Sequence, residues 1–182
     1  MKNVLNEQNL QKPLLECLNT KRSIVTRTSN YNGENSEYCI QKNVVVVCFG
    51  TPLVSGDALG PLVADKLREG GAPVFVYGTT DSPISAKNMA DKLEFIRAVH
   101  KDDVIIAVDA SLGDKEGGVV VRRDGVCPAA VRGRRKRFGD VGVLGVVAPN
   151  GDDALMNLMA ADFNFVDKLA ASVANAILGV IA

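Results

Sequence analysis

Tryptophan is absent from this 182-residue chain, and histidine occurs once, at His100. Aromatic residues make up only 5% of it, so its core must be built from Val, Leu, Ile and Ala. No CxxC pair exists; Cys17, Cys39, Cys48 and Cys127 are scattered, which excludes a zinc knuckle and a dithiol redox motif. Reduced thiols in a cytoplasmic protein are the simplest reading. The formal net charge is zero, with 21 basic and 21 acidic residues, which argues against a general polyanion binder. The N-terminus has no apolar run long enough for a signal peptide or membrane helix. GxSxG, GxGxxG and the P-loop pattern are all missing, so neither a serine-hydrolase elbow nor a nucleotide site is signalled. His100 falls between a predicted helix and the following strand. It is expected on the surface at the sheet edge away from the functional loops, badly placed to activate Ser55 or Ser111.

The length suits one domain. Residues 1–41 are rich in Asn, Gln, Ser, Thr and Lys. They are expected to form a weakly structured polar extension, with a short helix near Asn9–Leu18 and a loop over Thr26–Glu34. From residue 42 the pattern changes. Val44–Phe49 reads as a strand buried on both faces. Leu59, Leu62, Val63 and Leu67 recur at helical spacing, and Gly70-Gly71 ends that helix. Val74–Tyr77 is a second strand. Ser85 caps a helix carrying Met89, Leu93 and Ile96. Val104–Val108 is a third buried strand, stopping at Asp109. Two more strands fall at Gly118–Val121 and Val141–Val147, and a closing helix carries Phe163, Val166, Ala170, Val173 and Ile177. Early strands alternating with helices predict an α/β fold, a three-layer α/β/α sandwich with a mostly parallel sheet, over residues 42–182.

In such sheets functional residues gather beyond the carboxyl ends of the strands. That rule selects the loop running from Gly50 to Asp57 and the segment Asp109-Ala110-Ser111-Leu112-Gly113. Two carboxylates sharing a cleft can divide acid and base work, because their repulsion raises the proton affinity of one. The ionised member activates water and the protonated member polarises a carbonyl. Each residue also has an ordinary reading: Asp57 as a helix cap, Asp109 as a tie to a loop amide. Two carboxylates are few for a hard cation, and a transition-metal site would add His or Cys, so no metal or other cofactor is expected. The run Arg132-Gly133-Arg134-Arg135-Lys136-Arg137 reads as a solvated loop, or as a contact for an acidic partner. It lacks the interleaved aromatics of a single-strand nucleic-acid platform.

Three motifs together resemble a known family. Cys48-Phe49-Gly50-Thr51 followed by Ser55-Gly56-Asp57-Ala58-Leu59-Gly60-Pro61-Leu62 is similar to the YyaC-type sporulation proteins, relatives of the germination protease of spore-forming bacteria. Gly78-Thr79-Thr80-Asp81-Ser82-Pro83 with Ala86-Lys87-Asn88 resembles the same branch, as does Val108-Asp109-Ala110-Ser111-Leu112-Gly113. The resemblance covers roughly residues 44–147. It implies a phosphorylase/hydrolase-like fold, shared with hydrogenase-maturation endopeptidases. Those enzymes add a nickel-binding histidine for which this chain has no counterpart. It also implies that Asp57 and Asp109 are the catalytic pair of an endopeptidase, without assigning acid and base. Thr79, Asp81 and Asn88 would position substrate or support the carboxylates, although Asp81 and Ser85 also suit ordinary turn and capping roles. The implied substrate is a protein or peptide, such as a small acid-soluble spore protein, in the cytoplasm of a forespore or mother cell. Homo-oligomers occur among the protease relatives. The alternatives are a non-catalytic sporulation binding protein on the same fold and a metal-dependent hydrolase.

Overall fold

Four β-branched or apolar runs set the architecture. The structure, a computed structural model, describes residues 7–22, 25–31, 34–40, 42–128 and 136–181. Strands β3 (Val44–Cys48), β4 (Phe75–Tyr77), β5 (Val104–Leu112) and β7 (Val141–Ala148) lie parallel, and β6 (Val119–Arg122) pairs antiparallel with β7. Their order across the sheet is β4-β3-β5-β7-β6. Helix α2 (Leu59–Glu69) connects β3 to β4, and α3 (Met89–Val99) connects β4 to β5. The chain steps outward from β3 to β4, then back across β3 to β5. Right-handed crossovers in opposite directions put α2 and α3 on opposite faces. The reversal makes the carboxyl ends of β3 and β5 the switch point, where such sheets place their ligands.

Strand alternation divides the core. Val44, Val46, Ile106 and Val108 pack with α2, with α5 (Phe163–Ile181) and with α1 (Glu7–Lys21). Val45, Val47, Ile105 and Ala107 pack with Met89 and Ile96 of α3, and with Val126 and Phe138 from the connection after β6. The sheet is thus covered on both faces, as its continuous apolar strands require. Helix α5 has the length and apolarity of a membrane span, but its Val166, Ala170, Val173 and Ile177 are core residues. A short helix, α4 (Ala154–Ala160), precedes it, capped by the Asp153 carboxylate accepting from the Met156 N–H at 2.9 Å.

The structure differs from expectation in several places. Residues 7–21 are not a weak extension: Leu10, Leu14, Cys17 and Leu18 form one helical stripe buried in the core. The segment Thr26–Glu34, expected as loop, holds all but the first residue of strand β1 (Val25–Tyr31) and the start of β2 (Glu34–Ile40), which pair antiparallel as a separate sheet. β5 does not stop at Asp109 but runs to Leu112, because its other edge still pairs with β7. Ser85 does not cap α3. Asn88 is the N-cap residue, and the Ser85 hydroxyl accepts from the Lys87 N–H at 3.4 Å in the preceding turn. Of the basic run, Arg132 to Arg135 lie outside the described residues, while Lys136 and Arg137 are exposed and Arg137 bonds Asp124 at 3.2 Å.

Candidate active site

The two aspartates arrive at the switch point by different routes. Cys48 of β3 stands opposite Val108 of β5, so Asp109 is the first β5 residue beyond the end of β3. The Phe49 N–H donates to the Val108 carbonyl at 2.8 Å, holding the two strand ends together. Alternation gives Asp109 the face of Ile105 and Ala107. Its side chain is buried, the residue being only 8% exposed, and its Oδ1 accepts from the Ala110 N–H at 2.9 Å.

Asp57 sits in one turn of 3-10 helix, Gly56–Ala58, that leads directly into α2. The loop before it is closed by backbone bonds: the Gly50 N–H donates to the Ile84 carbonyl, and the Thr51 N–H donates to the Asp57 carbonyl, both at 3.0 Å. Gly50 has φ +130°, and a Cβ there would collide with the Asp57 carbonyl. Only glycine lets the chain turn this tightly. Asp57 is not the N-cap residue of either helix; Ser55 and Ala58 hold those positions.

The electrostatics couple the pair. Burial pushes the Asp109 carboxyl well above the usual carboxylate range, the negative charge of Asp57 pushes it further, and the Ala110 N–H pulls back weakly. Asp57, only half-buried, is the member nearer to solvent. Cys48 beside them is fully buried. Burial first, then the charges of Asp65 and Asp109, drive its thiol upward, so it stays neutral and inert.

Asp65 escaped the sequence reading. It lies on α2 two helical turns beyond Asp57, and its Oδ2 accepts from the Thr80 hydroxyl at 2.6 Å while Oδ1 accepts from the Thr80 N–H at 3.3 Å. This fastens the loop after β4 to α2. The available signal was a carboxylate two turns from Asp57 on a helix whose Ala64 and Leu67 face inward. The three expected substrate-positioning residues separate. Thr79 is buried, and its Oγ1 accepts from the Ser82 N–H at 3.3 Å. Asp81 is exposed at the bend that follows. Asn88 is occupied by its own loop, accepting from the Ser85 N–H and donating to the Pro83 carbonyl, each at 3.0 Å.

A family profile described as a protein of unknown function, DUF1256, matches residues 16–176. The chain belongs to the DUF1256 family. The match starts inside α1 and ends inside α5, so it takes in both aspartates and Asp65. This DUF1256 chain is 39% identical over 133 residues to Bacillus subtilis (strain 168) YyaC, described as an uncharacterized protein. That alignment covers 71% of this chain and 65% of YyaC, a little under two thirds of the relative's length. Among solved structures it is similar to HycI, a NiFe hydrogenase maturation protease from Thermococcus kodakarensis KOD1. The TM-score is 0.48 at 19% identity, covering 77% of this chain and 92% of that one.

Away from the aspartates, the DUF1256 chain departs from expectation at His100. It does lie just before β5, at the far edge of the sheet, but it is buried, at 4% exposure. Its Nδ1 meets Asp103 Oδ2 at 2.8 Å and its Nε2 meets the Tyr77 hydroxyl at 2.9 Å, so it ties β4 to the start of β5. Asp140 works at the same edge: its Oδ2 accepts from the Ile105 N–H at 2.9 Å. Among the described residues no three His, Cys, Asp or Glu side chains group as metal ligands. A groove of about 630 Å³ runs along β4, lined by Phe75, Phe95, Arg68, Lys92 and Thr79 among others, and by neither aspartate.

Proposed function

We propose that this protein is a peptidase whose Asp57 and Asp109 share the hydrolysis of a peptide bond. The observation carrying the proposal is the pair itself: a carboxyl whose proton affinity is raised first by its burial and then by a second carboxylate at the switch point. The environment of Asp109 sets its proton affinity apart, which is how paired carboxylates take separate roles. Asp109 keeps the proton and donates to the oxygen of the scissile carbonyl. Asp57, nearer solvent and ionised, takes a proton from water as the water oxygen bonds to the carbonyl carbon. The C–N bond then breaks as the proton held by Asp57 passes to the leaving amine, and one hydroxyl of the tetrahedral carbon returns a proton to Asp109 as the C=O bond re-forms. No covalent intermediate is needed, in keeping with a neutral, buried Cys48.

The resemblance to the germination protease extends the proposal to sporulation, with a small acid-soluble spore protein as substrate. The test incubates such a protein with the native chain, Asp57→Asn and Asp109→Asn, and reads the products by mass. Discrete cleavage by the native chain, lost in both folded variants, is the expected result. Absence of cleavage by any folded form would replace the peptidase by a binding protein on the same fold.

A further inference from the structure

We propose that the groove along β4 is a docking site for an extended acidic peptide, which adds to the sheet as a further strand. The proposal rests on the peptidase reading and deepens it by naming how substrate is held. Among the described residues β4 is an edge strand, paired only with β3, so half of its backbone N–H and C=O groups face outward without a sheet partner there. An extended chain binds such an edge by main-chain hydrogen bonds, and flanking pockets read alternate side chains. The groove supplies those pockets. Phe75 is 66% exposed and Phe95 58%, unusually bare for aromatic residues in a chain with so few.

Charge selects the occupant. The groove walls carry Arg68 and Lys92 and no acidic side chain. Among the described residues neither cation is ion-paired; the Lys92 Nζ donates instead to the Ser82 hydroxyl at 2.8 Å and to neighbouring carbonyls. A second copy paired edge to edge would bring cations of both copies into one cleft, so a carboxylate-bearing peptide fits better than self-association.

The groove also points to the site. It leads past Tyr77 and Gly78 to Thr79 and Ser82. Gly78, at φ +90°, lies so close to the Cys48 carbonyl that a Cβ would strike it, and Ile84 beyond Ser82 accepts from the Gly50 N–H at 3.0 Å. The far end of the groove therefore adjoins the end of β3 and the loop that carries Asp57. Asp65, by holding Thr80, fixes the wall between them.

Fluorescence anisotropy with a short labelled peptide of alternating Glu and Val tests this, using the native chain and Asp57→Asn. Both should bind it equally. The matched Lys-Val peptide, and the Glu-Val peptide N-methylated at alternate residues, should each bind at least about tenfold more weakly. Arg68→Glu and Phe95→Ser, both at exposed positions and checked for folding by circular dichroism, should also lose about tenfold. Equal binding of the acidic and basic peptides, or indifference to N-methylation or to both variants, would overturn the proposal. So would a dimer in sedimentation that Phe95→Ser dissolves, since the groove would then seat a second copy. The two readings fail separately. Cleavage of a spore protein without groove-dependent binding removes only the docking site, and groove-dependent binding without cleavage removes only the peptidase.

Discussion

Replacing Asp109 with Asn should remove a pH dependence from the stability of the fold. In the folded chain burial, and secondarily the charge of Asp57, hold the Asp109 proton well above the usual carboxylate range. In the unfolded chain the same group titrates near ~3.9. Between those two pKa values the folded state binds up to one proton more than the unfolded state. Stability therefore falls as pH rises through that window, with a limiting slope of about 1.4 kcal/mol per pH unit. Below the unfolded pKa both states are protonated and the penalty vanishes; above the folded pKa it levels at its full size. Asn carries no charge and keeps an oxygen for the Ala110 N–H, which now donates to Asp109 at 2.9 Å. The advantage of Asp109→Asn over the native chain should therefore widen with pH by up to about 1.4 kcal/mol per unit, then level. Urea unfolding followed by circular dichroism at successive pH values measures both proteins. Their difference largely cancels every other titrating group. Asp57→Asn should narrow the window, because it removes the second cause of the shift. Parallel native and Asp109→Asn curves would refute the coupled, buried carboxyl on which the site rests.

Asp65→Ala should lose both bonds to Thr80 and cost roughly 1.5–3 kcal/mol in thermal unfolding, with faster hydrogen exchange at the Thr80 amide. Leu14→Ala should cost roughly 2–5 kcal/mol, because Leu14 is fully buried between α1 and the rest of the core; a negligible loss in chemical denaturation would mean that α1 does not belong to it. Gly50→Ala combines an unfavourable φ with a clash against the Asp57 carbonyl. It should cost more than about 1 kcal/mol and shift the amide resonances from Asp57 to Leu59, whereas an unchanged spectrum would show that the turn relaxes freely.

Much of the sheet could be read from composition. Val44–Cys48, Val104–Val108 and Val141–Val147 are continuous apolar runs, and only strands buried on both faces use such runs at that length. The aspartates followed from the same rule, since Asp57 lies in the loop after the first of those runs and Asp109 directly follows the second. Asp65 did not, because a carboxylate on a helix looks like any solvated one until its partner across the fold is known. His100 misled for a related reason: its sequence neighbours Lys101, Asp102 and Asp103 are polar, yet the imidazole is covered by Tyr77 and Phe75 from a distant strand. The N-terminal region was judged on average polarity, which hides a stripe of only four residues, Leu10, Leu14, Cys17 and Leu18. The antiparallel pair β1–β2 had a local signal in the Thr and Tyr of its segments, residue types that strands favour.

Helix α1 bears on what a cut in the backbone after β2 would release. A removable leader must leave once it is cut, yet this helix seats three leucines in the core, each worth roughly 1.5–3 kcal/mol of burial. A protease acting after β2 would create a nicked, two-piece protein in which the helix persists as a tightly held fragment. Severing the backbone there and freeing the segment are different events, and the second would need the core to open.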